Sequence, residues 1–470
     1  MYGSGIEIPK VAFSSIACNK IGVNSYFIGF DMDSGGQLSK MDCNGVITVI
    51  EGGAGETGVI DVGSGTCSTY RIGNCNTANA SCSTVFGYNN TTSTYSQYAT
   101  ISGGLGNSAG YTTTVGGGRG NSALCATGGT IAGGCNNTAT TNYTAIGGGC
   151  GNNASGYAST VGGGAGNSAS CSYAVISGGL VNQVTSPISV IGGGESNYVS
   201  GCGSTVSGGK CNNSCDGFVV IGGGHNNTAS GYVSTIAGGC NNIVSGAGST
   251  ISGGCCNFLN SIGSSIGGGY CNHNAPSSDY GTISGGYCNY ITGRKSSVGG
   301  GCFNTASCNY STVSGGSNNT ASGCYATVGG GYCNIVSGCC ATISGGSFNS
   351  ITSISQYSTI SGGYCNSSTD DGTASTVGGG VCNRAGKCAT VAGGCNNVAG
   401  GAYSSILGGS GNSMTCAYSG AFGCNITSVA SCTFHTHKLF ADSLPDTSAG
   451  LSAGMIYRCS AEGNRLYVAV

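Results

Sequence analysis

The side chain with the widest chemistry in this chain is cysteine, present 31 times among 470 residues. Thiols can cross-link, bind metal or act as nucleophiles, and their spacing selects among these uses. Cys135 and Cys150 are 15 residues apart, as are Cys240 and Cys255, Cys256 and Cys271, and Cys324 and Cys339; Cys271 and Cys288 are 17 apart. If that interval is one turn of a coiled repeat, each pair holds the same place in consecutive turns, with Cα atoms about 4.8 Å apart. That separation lies within the ~4.4–6.8 Å range of disulfides. Two readings stay open: inter-coil or inter-chain disulfides, or free, small turn residues that begin reduced after cytosolic synthesis. Zinc fits less well, because no Cys-x-x-Cys is matched by a second one.

The second chemical candidate is His435-Thr436-His437. On a strand, residues two apart share a face, so both imidazoles point the same way. Three copies around an axis would surround a transition metal at the C-terminal foot. No other cofactor is expected. The remaining histidines are His225 and His273, acids are sparse, and no nucleophile–base–acid set is visible. The expectation is a protein that is not an enzyme.

What would position these residues is an internal repeat. A β-branched anchor, Ile or Val, recurs 21 times from Ile101 to Ile406, mostly 15 residues apart; Ile146, Val161, Ile221, Ile236, Ile251, Val313, Val328 and Ile343 are examples. Two residues after every anchor comes Gly-Gly, and six residues after it comes Asn, as in Asn152, Asn167, Asn227, Asn242, Asn319 and Asn334. The eighth residue after it is apolar in 18 of 21 units, the exceptions being Ser214, Asn274 and Ser368. Ser-Thr-Ile/Val reads as a short strand, with the anchor inward and the preceding residue outward. Gly-Gly turns the chain, and Asn suits a left-handed turn position or a bond from its side chain to local backbone. The pattern predicts an all-β parallel β-roll or β-solenoid. With weaker units back to Ile72 and on to Phe422, about 23 coils at ~4.8 Å each would extend roughly 110 Å. A thin core rich in glycine predicts association of several chains.

Composition narrows the function. The net charge is −2, charged residues make up 6%, and no basic stripe exists, so nucleic-acid binding is not expected. No apolar run approaches the ~20 residues of a membrane span, and no membrane insertion is expected. Met1 to Lys10 lacks a basic stretch followed by an apolar one, which predicts cytosolic synthesis without a signal peptide. The residue before the anchor is Thr in 14 of 21 units, a flat ladder of the kind an ice-binding solenoid presents. Three 17-residue spacings insert residues around Ala275–Asp279, Ser353–Gln356 and Thr369–Gly372, where a receptor contact would emerge as loops.

The segment Ala154 to Gly164, Ala-Ser-Gly-Tyr-Ala-Ser-Thr-Val-Gly-Gly-Gly, resembles the head repeat of trimeric autotransporter adhesins. The resemblance covers roughly residues 70–425 and implies a left-handed parallel β-roll, three of which pack side by side. Phe27 to Val46 resembles the N-terminal hairpin module of bacteriophage tail-fibre-type proteins, and Leu444 to Tyr457 resembles their short C-terminal foot. Together these imply a homotrimeric virion fibre. It would have an attachment module with a β-hairpin at 1–69, a β-roll shaft at 70–425 and a small β foot or trimerisation segment at 426–470. The expected place is the virion or extracellular space. The expected partners are further copies of the chain and a host surface receptor such as a glycan or outer-surface protein. The alternatives are a bacterial surface adhesin or extracellular matrix fibre and, behind them, an ice-binding solenoid.

Overall fold

A computed structural model describes residues 27–31, 37–41, 47–49, 60–62, 70–72, 75–436 with short breaks at 79–80, 94–95, 125–126 and 370–372, and 456–459 and 465–468. The chain divides into two compact units, Met1–Cys256 and Asn257–Val470. Every regular element among the described residues is a β-strand, most of them two residues long, and there is no helix.

The first unit begins with an antiparallel sheet of Phe27–Asp31, Gln37–Met41 and Ile47–Val49. Ile60–Val62 pairs antiparallel with Tyr70–Ile72, which pairs parallel with Thr84–Phe86. From there every pairing is parallel and joins equivalent residues of consecutive coils. One ladder carries the anchors, such as Ile146 on Val161 and Ile236 on Ile251. The other carries the inward residue eight positions later, such as Ala154 on Ala169 and Ala229 on Val244.

The second unit repeats both ladders, with Val313 on Val328, Val328 on Ile343 and Ala321 on Val336. Its anchor ladder runs on to Phe434–Thr436, paired with Gly420–Cys424. That last coil lies past the expected shaft boundary at 425. Ala421 and His435 stand in the anchor column there, so the Ile/Val signal fades before the coil does. Ile456–Cys459 and Arg465–Val468 form a separate antiparallel pair.

The two-residue strands follow from what each coil must bury. All 21 anchors are at most 1% exposed. Burial of each contributes roughly 1.5–3 kcal/mol, and only stacking supplies that burial. Four inward positions recur in each coil, and Ser186 and Ser261 add a fifth in theirs. In one coil the four are Ser159, Val161, Asn167 and Ala169, each fully buried. The small residue two positions before the anchor is a third apolar or hydroxyl column, represented by Ala174 and Ala326 as well as Ser159.

The Asn column is also inside. The bond from the Asn side chain to local backbone is present, and the structure adds what the spacing does not show: the side chain is in the core and also bonds the neighbouring coils. Asn167 Nδ2 donates to Gly163 O at 3.0 Å in its own coil, and to Gly179 O at 2.9 Å and Asn152 Oδ1 at 3.1 Å in the neighbours. Its Oδ1 accepts the Asn182 backbone N–H at 3.0 Å. A buried amide is stable only when satisfied in this way. The left-handed turn position is instead the residue before Asn, as at Asn136, Asn241 and Val181. A second left-handed corner lies three residues before the anchor, as at Tyr143 and Ile188. β-Branched residues resist that conformation. Inter-coil bonds hold it, from Val181 N to Ala165 O at 2.9 Å and from Ile188 N to Ser172 O at 3.0 Å.

The second glycine of Gly-Gly is required sterically. Gly149 has φ +89°, and a Cβ there would overlap the carbonyl oxygen of Gly164 in the next coil. The first glycine, Gly148, has φ +141° and open space where a Cβ would be, so its requirement is conformational.

Candidate functional site

With at least four residues of a typical coil turned inward and its glycines occupied by turns, the chemistry available to a partner lies at the corners and on the outer strand face. The corner after Gly-Gly presents the fourth and fifth residues after the anchor. The fourth forms a column of single bridges, among them Cys135 with Cys150, Glu195 with Lys210, and Cys240 with Cys255. The backbone carbonyls and amides of this column are spent on stacking, so only side chains reach solvent.

The predicted anchors Ile146, Val161, Ile221, Ile236, Ile251, Val313, Val328 and Ile343 are core residues. Asn152, Asn167, Asn227, Asn242, Asn319 and Asn334 are buried beside them. Neither set is available to a ligand.

The cysteines lie at the corners, as the spacing predicted, but stacking does not by itself make disulfides. Cys135, Cys150, Cys240, Cys255, Cys271, Cys288 and Cys339 carry free thiols. Cys324 is bonded, and its partner is Cys308 rather than Cys339, with Cα atoms 4.9 Å apart and a sequence separation of 16. The physical reason is direction. Residues in register on parallel coils have parallel Cα–Cβ bonds, which keeps their β-carbons about 4.8 Å apart, beyond the ~3.5–4.5 Å that a disulfide uses. Cys308 and Cys324 are offset by one residue, which lets their side chains converge. The 16-residue interval does not by itself mark the pair, because Cys255 and Cys271 stand at the same interval and keep free thiols.

Side-by-side thiols still sense each other. Cys255 Sγ is 3.4 Å from Cys256 Sγ. The Cys255 thiol is pushed up from its usual range mainly by its hydrogen bond with Cys240. Burial, and then the neighbouring Cys271, pushes up Cys288.

His435 continues the anchor column, half-buried, with Nε2 2.7 Å from Thr433 Oγ1. His437 lies outside the described residues. Among the described residues no group of three or more His, Cys, Asp or Glu side chains is arranged to hold a metal ion. His273 sits between two rings of the second unit, 4.9 Å from Phe258 and 4.7 Å from Tyr290. Burial there lowers its pKa from the ordinary 6.5.

The first insertion is folded down. Asp279 accepts the Ile262 N–H at 3.2 Å and lies 3.6 Å from Arg294 Nε. The threonine face is a continuous row in the second unit, where Thr312, Thr327, Thr342, Thr359, Thr376 and Thr390 pair in register.

Sequence reasoning missed the aromatic character of the Gly-Gly corner. In the second unit it carries Tyr270, Tyr287, Phe303, Tyr332, Phe348 and Tyr364, each 45–51% exposed. The signal was present as Tyr or Phe four or five residues after an anchor. Tyr287 and Phe303 are 5.2 Å apart between centroids and edge-on, while Tyr270 and Tyr287 stack at 5.4 Å.

A scan against protein-family models and a search of the curated proteins both found no match.

Proposed function

We propose that this chain is the shaft-bearing subunit of a virion fibre that attaches a particle to a host surface. The observation that carries the reading is the uniform stack within each unit. Coil after coil is held by backbone bonds, a buried Asn column and an Ile/Val column, and variation is left to the outer corners. Such a body is a stiff scaffold that displays side chains at fixed intervals. Three chains sharing burial, and many equivalent surfaces giving avidity, complete the proposal. The resemblance of Phe27 to Val46 and of Leu444 to Tyr457 to tail-fibre ends favours a virion over a cell envelope. Gold-labelled antibody against the chain tests this by electron microscopy of cultures that produce it. Label on appendages of particles is the expected result. Label confined to cell envelopes would replace the proposal with a bacterial surface adhesin.

The in-register row from Thr312 to Thr390 favours one second reading, an ice-binding face. Thermal hysteresis of the purified chain decides it. The fibre reading predicts none, and measurable hysteresis abolished by Thr342→Lys would establish the second reading.

A further inference from the structure

We propose that the aromatic strip along the Gly-Gly corner of the second unit is a binding site for a linear, neutral polysaccharide. The inference deepens the attachment reading above by naming the receptor class and the surface that takes it.

The strip is made of Tyr270, Tyr287, Phe303, Tyr332, Phe348 and Tyr364, with one intervening coil that carries Ser317 and Asn318. Six coil steps of ~4.8 Å give it a length of about 29 Å. Within each run the rings touch. Tyr332 and Phe348 are 5.3 Å apart, and Phe348 and Tyr364 are 5.7 Å apart, both edge-on.

The coil does not need these rings. The same corner of the first unit accepts Arg119, Ala165, Glu195 and Lys210 with the same bridging pattern. Aromatic side chains left half in water on a surface that folds without them mark a contact surface.

Charge selects the occupant. At the fourth and fifth positions after the anchor, from Tyr270 to Gly411, no Asp, Glu, Lys or Arg occurs. A nucleic acid or an anionic glycan would find no counter-charge there. Pyranose rings offer apolar C–H faces to aromatic rings and a rim of hydroxyls. The phenol groups of the tyrosines, the Ser317 hydroxyl and the Asn318 amide can bond that rim. Rings at successive coils would each take part of an extended chain, the arrangement by which aromatic platforms hold successive bases of a single strand, here without the basic groove. The platform is fixed by stacking, so binding orders little of the protein. A second copy of the chain is the competing occupant.

The test is affinity electrophoresis of the full chain through gels containing hydroxyethyl cellulose, galactomannan or dextran, with heparin as the anionic comparison. The expected result is retardation by at least one neutral polymer and none by heparin. The triple variant Tyr287→Ala, Phe303→Ala, Phe348→Ala should weaken retardation at least tenfold. Ser317→Glu places on the strip a residue type that the first unit carries at Glu195, so its fold is safe, and it should also weaken retardation. Lys210→Gln, at the corresponding corner of the first unit, should not. Unchanged mobility in every neutral polymer overturns the site, as does full retardation of Ser317→Glu. A triple variant that drops to a smaller native mass with unaltered retardation assigns the strip to chain–chain contact and also overturns it. Particle labelling is independent of this result. Label on appendages with no retardation would remove the site and leave the fibre reading standing.

Discussion

At the residue scale, two kinds of buried polar group behave oppositely. Asn167 is satisfied on every side, and its loss strands the Gly163 carbonyl and the Asn182 N–H, while the Gly179 carbonyl keeps the Ala165 N–H at 2.9 Å. An unsatisfied buried group costs roughly 1–3 kcal/mol, so Asn167→Ala should destabilise by at least about 2 kcal/mol in denaturant titration. Ser234 is the reverse case. Its buried hydroxyl has no partner, and Ala174 and Ala326 show that the column accepts alanine. Ser234→Ala should leave the denaturation midpoint unchanged or raise it, by up to about 1 kcal/mol; a clear drop would show that the hydroxyl is bonded. His273 adds a pH dependence. Burial between Phe258 and Tyr290 holds its folded pKa below the unfolded value of about 6.5. The folded state therefore binds fewer protons, and the stabilisation present above pH ~6.5 is lost as pH falls toward the folded pKa. Denaturation at pH 7.5 and pH 5 should show a larger loss in the wild type than in His273→Phe.

At the scale of the coil, the anchors and glycines were legible because the stack repeats each requirement 21 times. Ile and Val need burial, and the second glycine needs space against the next coil. The role of Asn was only half legible. A residue fixed at one place in a turn-rich unit reads as a turn residue, and nothing in a linear sequence distinguishes a bond to its own coil from a bond to the next. The small column of Ser159 and Ala174 was missed because Ser and Ala carry no strong inward signal. The cysteines were placed correctly at corners, but pairing depends on side-chain direction, which periodicity does not encode. Peptide mapping after alkylation under non-reducing conditions should recover Cys308 linked to Cys324, the one pair among the described residues, while Cys271 and Cys288 alkylate freely. Recovery of a Cys324–Cys339 link would show that in-register coils can close enough to bond.

At the scale of the whole molecule, each coil buries only a handful of side chains and carries several glycines. Glycine costs about 0.5–1 kcal/mol relative to alanine in ordered backbone. Stacking recovers part of this, and in the proposed fibre the rest comes from burial shared among three chains. Native mass spectrometry of the purified, full-length protein tests that claim most directly. Three chains of 45.5 kDa give an expected mass of about 137 kDa, persisting on dilution to nanomolar concentration. A stable, folded species at the mass of a single chain would contradict it.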